Sequence, residues 1–412
     1  MDGGQLPSLR TEVPGALSRD LVTRLARHEC PAITARRDQR AAALGAEHDD
    51  PIVWESASGA NVTDADGNCY VDMTAGFAVA LLGHRHPAVV AAAHRQVDRL
   101  VHAMGDAFPD RTRVELLEKL ASIAPPGLHT AILGLSGSDA IDAAVKTAIL
   151  ATGRPGVVVF SRGYHGLALG VVGLQAYNAS FGLPFQAITH PRVTVLPFGC
   201  AADTIPMDDV GLVLVEPLQG RGGMWTAPDG WLADLRRVTS AHGALLAFDE
   251  IQSGLGRTGR MWAGGDVVPD LLCVGKALAG GFPLSACLGT RAAMDAWGAS
   301  TGQAIHTQTF LGHPVGCAAA LAALDVVADG LPERCRERGH ALRSALGGFE
   351  TRGAGLMLAV EIGGDALAAS RKLLRKGWIA LPAGATSLSL TPPACLTDAQ
   401  IAGFAAAVRE VA

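Results

Sequence analysis

Between about residues 75 and 305 the chain alternates short apolar runs with longer helical stretches. The runs fall at 130–133, 156–160, 193–196, 211–215, 245–248 and 271–274. Apolar at nearly every position and bounded by turn residues, they predict strands buried on both faces. Such strands separated by helices predict an α/β fold, a mostly parallel sheet with helices on both sides. Upstream, 18–27 predicts a short helix capped by Ser18, and 52–55 and 61–72 predict strands turning at Asp66-Gly67. From about 315 an alanine-rich helix leads into a smaller α+β unit. The expected division is 1–70, an N-terminal segment packing with the small domain; 71–310, the large domain; and 311–412, the small domain.

Composition narrows the classes. At 412 residues, 49% of them apolar, the chain can bury a large core. A net charge of -5 offers no basic face, so no nucleic-acid partner is expected. The N-terminus is polar and no apolar run reaches bilayer-spanning length, so neither a leader nor a membrane segment is expected. Eight scattered cysteines without Cys-x-x-Cys read as reduced core residues in a cytoplasmic protein. Asp64-x-Asp66-Gly67 lacks the remaining ligands of a calcium loop and reads as a hairpin turn. Gly83-His-Arg-His-Pro87 offers two histidines without further ligands, so no metal site is expected.

Two residues carry the candidate chemistry. Lys276 follows the run 271–274 and precedes Ala-Leu-Ala-Gly-Gly, where no charge in sequence pairs with it. Desolvation lowers a lysine's pKa and makes it the nucleophile a Schiff base needs. Asp249 ends the run 245–248, at the carboxyl end of a predicted parallel strand, where open α/β sheets place ligands. A carboxylate that keeps a pyridinium protonated and a lysine on the next strand-loop unit are the pair that pyridoxal phosphate (PLP) chemistry requires. Gly254-Leu-Gly-Arg-Thr-Gly259 satisfies a dinucleotide fingerprint, but it stands late in the chain and its continuation does not read as a helix opening. A nicotinamide dehydrogenase is therefore the rival from another class.

Leu246-Ala-Phe-Asp-Glu-Ile-Gln-Ser-Gly-Leu-Gly-Arg-Thr-Gly-Arg-Met-Trp262, followed by Asp270-Leu-Leu-Cys-Val-Gly-Lys276, resembles the signature of class III aminotransferases. These are fold type I PLP enzymes that include ornithine, 4-aminobutyrate and ω-amino acid transaminases. The likeness runs from about Trp54 to the C-terminus. It implies a seven-stranded, mostly parallel central sheet, PLP as cofactor, and a homodimer with shared sites. The expected substrates are an amine or amino acid donor and a keto or aldehyde acceptor.

Further roles follow from the same resemblance. Leu135-Ser-Gly-Ser-Asp-Ala140 lies between a strand and a helix, where backbone N–H groups can cradle an anion; the family's phosphate loop assigns this to Gly137 and Ser138. Arg162-Gly-Tyr-His-Gly166 resembles the family's Gly-Tyr-His-Gly, placing Tyr164 on the cofactor ring with His165 beside it. Ile251 would press on the other ring face and Gln252 would reach the ring hydroxyl. Glu216 matches an acid that lines the site and can pair with an arginine. Thr309 matches a threonine that donates to the neighbouring subunit's phosphate. Phe77 should line the substrate pocket.

The pattern breaks in two places. The family usually carries an arginine three residues before Pro-Pro, which grips a carboxylate through a bidentate pair; Ser389 stands there. Arg221 stands where an acid is common. Racemases of the same fold also lack the anchoring arginine, which leaves two readings open. In both, Lys276 binds the cofactor, is displaced by the substrate amine and acts as base at Cα, while Asp249 protonates the ring nitrogen. Reprotonation on the cofactor gives transamination, the favoured reading; reprotonation at Cα from the opposite face gives racemisation or epimerisation.

Overall fold

The computed structural model describes residues 3–34, 42, 45, 51–190, 192–298, 302 and 304–412. Its first sheet joins β1 (Trp54–Ser58), β2 (Asn61–Asp64) and β3 (Cys69–Asp72) in antiparallel register. The β2–β3 turn is a hairpin that consumes its acids. Asp64 accepts from the Asp66 and Asn68 amides, the Asn68 side chain and the Tyr70 hydroxyl. Asp66 accepts from the Leu17 and Ser18 amides. The first helix accordingly spans Ala16–Ala26 with Gly15 at its N-cap. Ser18 lies inside the helix and is buried; the cap comes from a distant acid that the local pattern could not reveal.

The central sheet comprises β4 (Leu128–Gly134), β5 (Gly156–Phe160), β6 (Val193–Leu196), β7 (Val210–Val215), β10 (Leu245–Asp249), β11 (Leu271–Val274) and β12 (Ser285–Thr290); the small hairpin β8 (Leu218–Gln219) and β9 (Trp225–Thr226) stands apart. Its order is β4-β12-β11-β10-β7-β5-β6. Strands β11, β10, β7, β5 and β6 are parallel in succession, and β12 runs antiparallel to both its neighbours. The six apolar runs of the sequence coincide with six of these strands. The seventh, β12, reads Ser-Ala-Cys-Leu-Gly-Thr, too small and polar to announce itself, yet it is buried throughout except for Thr290.

Side-chain alternation explains why both faces are covered. Val157, Val159, Leu212, Leu214, Ala247, Leu271, Cys273 and Cys287 pack with helix Gly137–Thr152. Their alternates Val158, Phe160, Val213, Val215, Leu246, Phe248, Leu272 and Val274 pack on the other side. There they meet helices Trp231–His242 and Pro314–Ala328. The latter helix is apolar on nearly every side, as a helix buried in a core must be. A third core gathers Val71 and Met73 with β14 (Met357–Glu361), β15 (Trp378–Ile379), β17 (Ser387–Leu390) and the helices Ala366–Leu374 and Asp398–Val411; β13 (Thr351–Ala354) pairs with β14 and β16 (Leu381–Pro382) with β17 at the sheet's edges. Within it β15 pairs parallel with β3.

Residues Gly254–Gly259 form successive turns from which no helix opens. Arg257 lies in their midst, fully buried, and donates to the carbonyls of Leu356 (3.2 Å), Pro392 (2.5 Å) and Ala78 (3.2 Å). It thereby ties the large sheet's loop to the C-terminal unit and to a left-handed turn with φ of 47° at Ala75, 56° at Gly76, 63° at Phe77 and 69° at Ala78. Such angles cost a non-glycine residue about 1 kcal/mol or more. Asp72 holds the turn from its other end by accepting from Thr74 and from the Gly76 amide. Arg257→Met should leave three carbonyls short of a donor and cost at least about 3 kcal/mol of stability in urea unfolding. A loss under about 1 kcal/mol would show that the cross-link is dispensable.

Candidate active site

Asp249 is the last residue of β10 and pairs with Cys273 of β11. It continues the row of Ala247, on the face that helix Gly137–Thr152 covers. Strand β11 ends at Val274, and Lys276 opens a 3-10 turn, Lys276–Ala279, with a left-handed φ of 44°. Two adjacent parallel strands thus deliver a carboxylate and an amine to the same edge of the sheet. Lys276 is half-buried and its Nζ donates to Gln252 Oε1 at 3.2 Å. Burial lowers its pKa, against the opposing pull of Asp249 and Glu216.

Asp249 Oδ2 lies 2.8 Å from His165 Nδ1, and Oδ1 accepts from the Ile251 amide at 3.1 Å. His165 is buried, which disfavours its charge, yet the bond to Asp249 and that carboxylate's field raise its pKa on balance. Among the described residues Glu216 pairs with no arginine. Its two oxygens accept from the Tyr164 amide (2.8 Å) and the Gly220 amide (3.0 Å), and burial raises its pKa.

These groups border one cavity of about 370 Å³, whose walls include Gly137, Ser138, Tyr164, His165, Glu216, Asp249, Ile251, Gln252 and Lys276. At one end Ser136 and Asp139 form a reciprocal capping box, which consumes the Asp139 carboxylate on the Leu135 and Ser136 amides. The Gly137 and Ser138 amides have no partner among the described residues. The packing there is close: a β-carbon on Gly137 would sit 2.9 Å from the tip of Ile251, and one on Gly166 2.1 Å from Ser138 Oγ, so either would force a neighbouring side chain to move. Free amides at a helix N-terminus suit a phosphate, Asp249 suits a ring nitrogen, and Lys276 suits an aldehyde. The donor set fits PLP.

A larger cavity of about 710 Å³ shares Tyr164, Gln252 and Lys276 and extends to Thr74, Phe77, Tyr177, Arg221, Ser389 and Thr391. Phe77 and Arg221 both border it. Tyr177 and Thr391 went unread, and only the scarcity of tyrosine, three in the whole chain, marked the former. Ser389 lies opposite Ala359 and Leu381 in its sheet and brings no charge. Thr309 is exposed and borders neither cavity.

Fold and site together define a fold type I PLP enzyme. A class III aminotransferase profile matches residues 44–411, so the chain belongs to the class III aminotransferase family. It is 36% identical over 325 residues to the acetylornithine aminotransferase of Methanopyrus kandleri, covering 76% of this chain and 82% of that one. To the acetylornithine aminotransferase of Mycobacterium tuberculosis it is 35% identical over 374 residues, 87% of this chain and 91% of that one. The ornithine aminotransferase of Toxoplasma gondii ME49 superposes with a TM-score of 0.82 at 28% identity, covering 98% of this chain and 95% of that one. Another structure of the Toxoplasma gondii enzyme, with partial occupancy of PLP at its active site, gives a TM-score of 0.80 at 29% identity, with 88% and 89% covered. The chain is a PLP-dependent aminotransferase; the relatives lend the racemase reading no support.

The lowered Lys276 pKa has a stability consequence in the cofactor-free protein. Between its folded pKa and the ordinary value of 10.5 the unfolded chain binds more protons, so stability rises with pH across that window. Cofactor-free Lys276→Met should therefore melt above the wild type at neutral pH, with the gap closing as pH climbs toward 10.5. A gap that is constant from pH 7 upward would contradict the buried-ammonium assignment.

Proposed function

We propose that the two cavities divide one transamination site: the smaller holds PLP and the larger holds the substrate. Bound there, PLP supplies an electron sink for the charge left when substrate Cα loses a proton. Lys276 is the amine toward the cofactor's aldehyde and, once displaced by substrate, the base that takes the Cα proton; its lowered pKa favours the free base both tasks need. Asp249 holds a proton on the ring nitrogen, and His165 and the Ile251 amide fix its two oxygens. The Gly137 and Ser138 amides, with the Ser138 hydroxyl, bind the phosphate. Tyr164 and Ile251 enclose the ring, and Gln252, which now holds Lys276, reaches the ring hydroxyl. The carrying observation is the delivery of Lys276 and Asp249 by neighbouring parallel strands to a cavity that ends in two free helix amides.

Thr309 belongs to the same proposal as a donor to the phosphate bound by a neighbouring copy, in a homodimer. An exposed apolar surface supports it: Met104 (61% exposed) bridges Phe108 (68%), and the His102 ring lies 5.3 Å from that of Phe310 (50%), tilted against it. Such a patch is what a subunit interface buries. We further infer a cytoplasmic setting, consistent with free cysteines throughout the described residues. The substrates are inferred to be an amine or amino acid with a keto or aldehyde acceptor. The three-part division at 70 and 310 is likewise an inference; the helix Pro314–Ala328 shares the large core, whereas Val71 and Met73 share the C-terminal one.

Borohydride reduction of the PLP-loaded enzyme followed by peptide mass analysis should place the cofactor tag on Lys276, and Lys276→Ala should carry none and turn over nothing. Asp249→Asn should slow the amine half-reaction by about 100-fold or more while still taking the tag. A tag on another lysine, or an Asp249→Asn enzyme at wild-type rate, would overturn these roles.

A further inference from the structure

Arg221 has no part in the roles above. It lies on the connection between β8 and β9 and borders the larger cavity together with Lys276. Its guanidinium carbon sits 4.7 Å from the ring centre of Tyr164 and 5.6 Å from that of Tyr177. The two rings stand 6.4 Å apart at 81°, so the cation occupies the corner they make. Aromatic faces hold a guanidinium in place without neutralising it. Among the described residues no carboxylate pairs with it. The Glu216 oxygens are taken by the Tyr164 and Gly220 amides, and the Asp249 oxygens by His165 and Ile251. The rest of the cavity wall offers apolar surface at Phe77, Leu381 and Pro382, and the hydroxyls of Thr74, Ser389 and Thr391.

A positioned, half-buried guanidinium with five donors and no counter-ion, facing a cavity that ends at the reactive amine, is a carboxylate receptor. We propose that Arg221 binds a carboxylate of the substrate, so that the donor is an amino acid with an apolar body and not a simple amine. The proposal rests on the transaminase reading and places the charge on the β8–β9 connection, in the wall of the same cavity that the uncharged Ser389 lines. The two tyrosines fix the guanidinium beforehand, so little side-chain entropy is lost on binding.

The test uses the PLP-loaded enzyme without keto acid. A series of linear ω-amino acids and the n-alkylamines of matching length are compared by the rate at which each converts the cofactor's aldehyde band to its amine band. Hexanoate, which lacks an amine, serves as an unreactive probe in calorimetry. The wild type should favour the carboxylate-bearing member of its best pair. Arg221→Met should cut that preference ratio by about 10- to 100-fold and weaken hexanoate binding in parallel. Arg221→Lys should recover part of both, and Arg221→Glu should turn the preference toward diamines. A preference ratio in Arg221→Met within about twofold of the wild type, or hexanoate binding unaltered, would overturn the proposal. If no member converts the cofactor band, the assignment of these donors to the transaminase fails, while the hexanoate comparison still decides the role of Arg221.

Discussion

The parallel pairing of β10 with β11, in the register that sets Asp249 beside Cys273, is the constraint on which the site depends. Both strands leave the sheet at the same edge, so the carboxylate that ends one and the amine that follows the other face a common cavity. A slip of one residue would move every β10 side chain to the opposite face and take Asp249 away from the helix whose N-terminus lines the smaller cavity. What forbids the slip is the dry packing on both sides. Ala247 meets small residues beneath helix Gly137–Thr152, whereas Leu246 and Phe248 fill the opposite core. The chemistry is fixed by side chains that take no part in it.

Burying charge at such an edge is tolerable only where backbone groups answer it. Glu216 spends both oxygens on amides, and Asp249 is held by an amide and an imidazole. Glu250, whose burial pushes its pKa up to about 7, accepts from the Ala263 and Gly264 amides and from Ser253. Arg257 answers three carbonyls. Lys276 and Arg221 differ: the first has a single amide oxygen and the second only aromatic faces. Both border the larger cavity. Backbone strain gathers at the same place, in Lys276 and in the turn from Ala75 to Ala78.

Much of this was legible in the chain. Strands buried on both faces announce themselves as unbroken apolar runs, and six of seven did. Strand β12 escaped because Ser285, Ala286 and Gly289 carry too little apolar surface to register. Lys276 and Asp249 stood out because a charge closing an apolar run needs a reason. The pairing of His165 with Asp249 could not be read, since 84 residues separate them. The same holds for Asp66 capping a helix 48 residues upstream and for Tyr177 closing on Arg221. Glu216 was read as an acid that can pair with an arginine; here it accepts from the Tyr164 and Gly220 amides, because the turn around Gly220 folds back over it. Proximity created by the fold, not by spacing, is what sequence patterns leave out.

In transamination the cofactor retains the amino group. The most direct measurement is the absorbance spectrum of the PLP-loaded enzyme mixed with an amino acid donor in the absence of any keto acid. Stoichiometric loss of the aldehyde-form band, growth of the amine-form band, and its reversal when a keto acid is added are expected. A band that shifts without converting while the donor's optical activity decays would contradict transamination, because the proton would then be returning to Cα.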